Sequence, residues 1–209
     1  DEAVTDAPTK GNDEGIFGYG GDDYSTITNL VSNAGVVSSD VAGVGTSRGF
    51  LAACSFGGDK GIFGFGTTGS LTAVTNLVSN AGVVASDTAA VGTVRSSLAA
   101  CEYGEDKGIF GFGTTGSYVS ITNLVSNAGV VASDQAATAG TARSYLSACG
   151  YGYDKGIFGF GTTGSVTAVT NLVSNAGVVA SDQAAVTGTA RAALAATQYG
   201  GDKGIFGYG

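Results

Sequence analysis

Hydrophobic positions in this chain come in short bursts and never settle into a helical period. The stretch from 96 to 133 contains "SSLAACEY", "GIFGFG", "VSITNLVS" and "GVVAS", each 5–8 residues long. Turn formers such as "YGEDKG", "GTTGS" and "SNAG" separate them. Runs of this length, small-residue, aromatic or β-branched in character and bounded by Gly, Asn, Asp, Ser and Thr, predict β-strands. A helix competes only over "VVASDTAAVGTVRSSLAA" (83–100). Its Gly and β-branched residues and its lack of a 3.6-residue period make strand and turn the better reading there too.

The same four segments recur. "DKGIFGFGTTGS" occurs at 59–70, 106–117 and 154–165, with shorter forms from Asp13 and Asp202. Aligning on Ile16, Ile62, Ile109, Ile157 and Ile205 gives spacings of 46, 47, 48 and 48 residues. The repeat units fall near 15–45, 46–92, 93–140, 141–188 and 189–209, preceded by a non-repeat extension at 1–14 with five acids and one Lys. Four short strands repeating every 40–50 residues predict an all-β fold: a β-propeller of four, or five, four-stranded blades. The small-residue strand suits the crowded centre of such a ring. The aromatics Phe63, Phe65, Phe110, Phe112, Phe158 and Phe160 are expected between blades, where a buried ring contributes about 2–3 kcal/mol.

In "ARSYLSACGYGYDKGIFGFG" (142–161) an Arg leads a small-residue strand, and an aromatic-glycine strand follows. This pattern, present in the other copies across 15–209, resembles the Kelch-type propeller repeat. The glycine doublet of that family is here split by an aromatic, and its Trp after the third strand is missing. The resemblance implies a propeller and leaves function open, since such propellers serve many binding roles. The "GIFGYG" wording also resembles segments of uncharacterised phage and environmental proteins.

Composition narrows the chemistry. His, Trp and Met are absent. Without His there is no imidazole base, no Ser-His-Asp or Cys-His arrangement and no His-ligated metal. No catalytic residue and no cofactor is expected, and the chain reads as non-enzymatic. Its net charge is −8, and all four Arg share one repeat position while four of five Lys share another. Basic residues spread this way form no clustered patch, which excludes nucleic-acid binding. No apolar run is long enough for a membrane helix. Three Cys (Cys54, Cys101, Cys149) share one repeat position, which argues for small buried residues rather than disulfides. The absent Met and the opening at Asp1 suggest a processed, exported protein.

Asp40, Asp87, Asp134 and Asp182 precede Arg48, Arg95, Arg143 and Arg191 by eight or nine residues, so structural Arg–carboxylate pairs are expected. Asp22 and Asp23 in "GGDDYS" are a candidate Ca²⁺ site, with a solvated acidic loop as the competing reading. "GFGTTG" precedes a strand rather than a helix and is not a phosphate loop. The Ser and Thr turns could carry O-linked sugars, while no N-linked sequon occurs.

If every segment is a strand the chain holds 17, one more than a closed four-bladed ring uses. The C-terminal "RAALAATQYG" is expected to complete the first blade, leaving one "GIFG" strand in excess. A surplus strand edge is a template for another chain. The functional expectation is therefore an extracellular or virion-surface structural protein that forms homo-oligomers or filaments, by strand exchange or through its N-terminal extension. The alternative is a multivalent propeller that binds glycans or other ligands.

Overall fold

The computed structural model describes residues 14–209 apart from 22, 90, 136–139 and 184–187. The described residues contain thirteen strands in five antiparallel sheets and no helix. The first sheet pairs β1 (Gly15–Gly20) with β2 (Ser25–Val31). The second has the order β3 (Ala52–Phe56), β4 (Lys60–Gly64), β5 (Thr75–Val78). The third repeats it with β6 (Ala99–Tyr103), β7 (Lys107–Gly111) and β8 (Thr122–Val125). The fourth does so again with β9 (Ser147–Tyr151), β10 (Lys155–Gly159) and β11 (Thr170–Val173). The last pairs β12 (Ala195–Tyr199) with β13 (Lys203–Gly207). Among the described residues no helix is long and apolar enough to cross a membrane.

Within a unit the register is the same each time: Cys101 lies opposite Ile109, and Ile109 opposite Leu124. A tight turn over 104–106 joins the small-residue strand to the aromatic-glycine strand, so this hairpin closes at little entropic cost. The third segment is a strand only over "TNLV" in units 2 to 4, shorter than its pattern predicts. The fourth is not a continuous strand. It touches the third at isolated bridges, such as Val125↔Val131 and Thr122↔Gln135. Side chains displace the ladder here: Asn123 Nδ2 donates to the Ala132 carbonyl at 3.0 Å, and Ser126 Oγ accepts from the Val130 amide at 3.1 Å. A polar side chain that satisfies a neighbouring backbone group competes with sheet extension. Among the described residues the regular sheets are therefore three-stranded at most.

Successive units stack. The small-residue strands β3, β6, β9 and β12 lie side by side in chain order. Backbone hydrogen bonds cross each boundary: Gly66 N–H donates to the Arg95 carbonyl at 3.0 Å, and Ser97 N–H to the Phe50 carbonyl at 2.8 Å. One core cluster joins Phe56, Ile62, Phe65 and Ala73 of unit 2 to Leu98, Phe110 and Val125 of unit 3. Another spans units 3 and 4. The core thus lies between units, so each repeat depends on its neighbours.

Closure differs from the sequence expectation. The C-terminal small-residue strand β12 pairs with its own hairpin partner β13, and β1 pairs with β2 alone among the described residues. Local pairing across a short turn wins over the equivalent strand roughly 180 residues away.

Candidate functional site

The repeated phrase "KGIFGF" forms the joint between units. Phe65 and Phe110 meet with ring centroids 5.1 Å apart, and Phe112 and Phe158 repeat the contact at 5.2 Å. Tyr19 with Phe63 and Phe160 with Phe206 complete the series. The aromatics singled out in the sequence all stand between successive units.

Both glycines of the phrase sit where neighbours come too close for a side chain. A Cβ on Gly64 would lie 2.7 Å from the Phe110 ring, and one on Gly108 would lie 2.6 Å from Cys54 Sγ. Gly111 and Gly156 repeat these contacts with Phe158 and Cys101. The cysteines are free thiols packed at the joint, and burial pushes Cys54 up to about 12. They are spacers sized to the facing glycine.

Arg48, Arg95 and Arg143 tie the joint to their own units through Nε, although Arg143 Nη2 is buried without the Asn partner that the other two have. Arg95 lies over the Phe65 ring of the preceding unit, 4.1 Å from its centroid. Its Nε donates to the Phe112 carbonyl at 2.9 Å and its Nη2 to Asn123 Oδ1 at 2.7 Å. Phe112 has a φ of 62°, a left-handed conformation costing an aromatic residue roughly 1–2 kcal/mol, and it directs that carbonyl inward. Asn123 Nδ2 then donates to Asp134 at 2.9 Å, and the Thr93 amide and hydroxyl donate to the same carboxylate at 3.1 and 2.6 Å. A clasp therefore joins residues 41 positions apart, the start and end of one unit.

This corrects the expected charge pairs. Among the described residues no Arg–carboxylate pair closes directly; Asn123 stands between Arg95 and Asp134, as Asn76 does between Arg48 and Asp87. The Asp concerned also lies after its Arg, not eight or nine residues before it. Asp182 takes Thr141 and Asn171 in the same way, while Asp40 takes Asn29. The Thr and Asn members were not singled out from the sequence. Their signal was present as "T-x-R" and "TNLV" at matching places in the units.

Burial lowers the pKa of Arg95 to about 10, opposed by the Asp134 charge. For Asp134 burial pushes upward, but hydrogen bonds from Thr93 and Asn123, with the Arg95 charge, together hold it below the usual carboxylate range. Asp87 and Asp182 are lowered by the same balance. These groups are tuned to hold one another.

Asp22 lies outside the described residues, and Asp23 is an exposed turn residue. Among the described residues no group of three His, Cys, Asp or Glu side chains could hold a metal ion. A cleft of about 370 Å³ lies between units 1 and 2, lined by Ile16, Leu30, Cys54, Lys60 and Ile62 among others.

The ends of the array differ from its middle. Phe17 occupies the place of Phe110 and is 65% exposed; Tyr208 occupies the place of Phe112 and is 95% exposed. Arg191 lies over Phe160 at 4.3 Å, yet its Nε is buried without a partner and only Nη2 reaches the Phe206 carbonyl, at 3.3 Å.

No protein-family profile matches the chain, and no curated protein is detectably similar to it in sequence.

Proposed function

We propose that this chain is a non-enzymatic structural protein, extracellular or virion-associated, whose Kelch-like blades stack about an axis and which assembles with copies of itself into fibres. The observation that carries the reading is the aromatic repeat surface left exposed on the first and last sheets, at Phe17 and Tyr208. Exposed apolar surface continuous with a repeat interface favours another repeat. The blade arrangement is supported by the adjacency of the small-residue strands and by Phe50, whose ring meets Tyr145 two units on at 6.3 Å. The acids of the clasp hold structure, which supports a role without catalysis. O-linked sugars on the Thr and Ser turns fit an extracellular fibre.

Negative-stain imaging and sedimentation at increasing concentration test the reading. Oligomers or fibres are expected, and a lone monomer at high concentration overturns it. Tight, selective binding on a glycan array without assembly would favour the multivalent binding function instead.

A further inference from the structure

The units of this chain are nearly identical, so the few positions at which they differ are those the fold leaves open. Across units 2, 3 and 4, outside the stretch near Val91 where the units differ in length, five positions carry a different residue every time. They are the positions of Ser47, Phe50, Ser55, Gly58 and Leu71 in unit 2. Two of the five come together where the small-residue strand begins. Phe50, Ser97, Tyr145 and Ala193 form one row: the Ser97 amide donates to the Phe50 carbonyl at 2.8 Å, and Tyr145 to Ser97 and Ala193 to Tyr145 at 2.9 Å each. The position of Leu71 lies beside this row. In unit 3 its counterpart Tyr118 pairs with Thr114, which in turn pairs with Ser96, the neighbour of Ser97.

We infer that this end of the array is a binding site for a neutral glycan: one composite site, formed by Phe50, Tyr145 and Tyr118, with the sugar rings against the aromatic side chains. The site is additional to self-assembly and does not depend on it. It also differs from a multivalent array, because no two of these units contribute the same side chain at either position.

Three observations carry it. The first is exposure combined with strain. Phe50 and Tyr145 are 45% and 43% exposed, and Tyr118 is 40% exposed. Phe50 and Tyr145 have φ of 53° and 52°, in the left-handed region where any Cβ is disfavoured. The backbone imposes the same conformation on Ser97 and Ala193. The fold therefore asks for a small residue at this place, and two units carry a half-exposed ring instead. Strain retained at an exposed position points to a use.

The second observation is geometry. The Phe50 and Tyr145 rings come from units on either side of Ser97 and meet edge to face, with centroids 6.3 Å apart. An aromatic corner of this kind takes the C–H face of a pyranose. The Tyr118 and Tyr145 hydroxyls have no hydrogen-bond partner among the described residues and are left for the sugar hydroxyls. The third is charge. No charged residue occurs in 49–51, 67–72, 96–98, 114–119, 144–146, 162–167 or 192–194, in a chain with 17 acids. A phosphate, a metal ion or a charged peptide needs opposing charge, whereas a neutral ligand with apolar faces and hydroxyls needs aromatic walls and a few polar groups. The positions of Ser55 and Gly58 lie at the far end of the same strand, where Glu102 and Glu105 bring charge, and they are not part of this surface.

Isothermal titration of the 209-residue chain tests the site, using hexasaccharides of glucose, mannose, xylose and N-acetylglucosamine, with hexagalacturonate as the charged counterpart. At least one neutral hexasaccharide should bind, near one-to-one and more tightly than hexagalacturonate. Phe50→Ser, Tyr145→Ser and Tyr118→Val each install the residue that a neighbouring unit already carries, so the fold accepts them. Each should weaken binding about tenfold or more while the melting midpoint stays near that of the parent. Tyr153→Ala, at the opposite end of the strand, should bind like the parent. Binding is read at a temperature where every variant is folded, so a loss reports contact rather than unfolding. No binding of any neutral hexasaccharide, a preference for hexagalacturonate, several ligands per chain, or parental binding by all three variants overturns the site. Sedimentation of the same samples without sugar tests the fibre reading separately, so either can fail while the other stands.

Discussion

Phe110 and Phe17 hold the same position in their repeats, followed by the same glycine, yet one is fully buried and the other is 65% exposed. Arg95 and Arg191 make a similar pair: the first makes three hydrogen bonds within its unit, two of them to other segments, while the second leaves Nε unpartnered. The interior and the ends thus use one set of residues to different effect. A side chain here gains its energy from the neighbouring unit, so its place in the array outweighs its identity. That behaviour belongs to one-dimensional stacks, where stability is a sum over interfaces.

The comparison can be broken most forcefully at the rings. Phe110→Ala should cost about 3–5 kcal/mol, and Phe17→Ala well under about 1 kcal/mol, because only the first leaves a cavity. Urea denaturation of both variants checks this; equal losses would mean that the ends are as well packed as the middle. Next come the glycines. Gly111→Ala places a Cβ 2.7 Å from the Phe158 ring, whereas Gly207→Ala, at the equivalent position, meets nothing within 4 Å. Overpacking at the first should cost roughly 1–3 kcal/mol, and the second should be close to neutral.

A smaller effect is expected from acid. Asp87, Asp134 and Asp182 are held below their unfolded values, so between the two values the unfolded chain binds more protons. The stability they contribute is present above about pH 4 and is lost as pH falls through the folded values. Thermal melts between pH 6 and pH 2.5 should show the midpoint falling in that window, and Asp134→Asn should flatten the fall. A midpoint that does not move would remove the clasp from the energetics. The mildest test is hydrogen exchange on the unassembled chain. Amides of β1, β2, β12 and β13 should exchange faster than those of β6 and β7, which have neighbouring units on both sides.

Much of this architecture is legible in residue pattern. Short runs of small or aromatic residues bounded by turn formers place the small-residue and aromatic-glycine strands. The repeated "GIFGF" marks the joint, because only glycine admits a ring or a thiol that close. The clasp was half legible: repeated Arg and Asp signal a charge relationship, but Asn123 stands between them. Nothing in the spacing distinguishes a direct pair from one bridged by an amide, since that depends on where three distant segments come together. The fourth segment has strand-like composition, yet Asn123 and Ser126 take the backbone groups a ladder would use.

By itself the sequence determined the repeat, the order of strands within it and the side chains that meet between units, all consequences of local pattern and of size at close contact. Tertiary structure alone decided which of the near-identical strands pair, and that Asn76 and Asn123 carry the link from Arg to Asp. The physical reason is degeneracy. Copies of one strand offer the same hydrogen bonds and the same side chains, so the choice among them lies in the geometry of the assembled array.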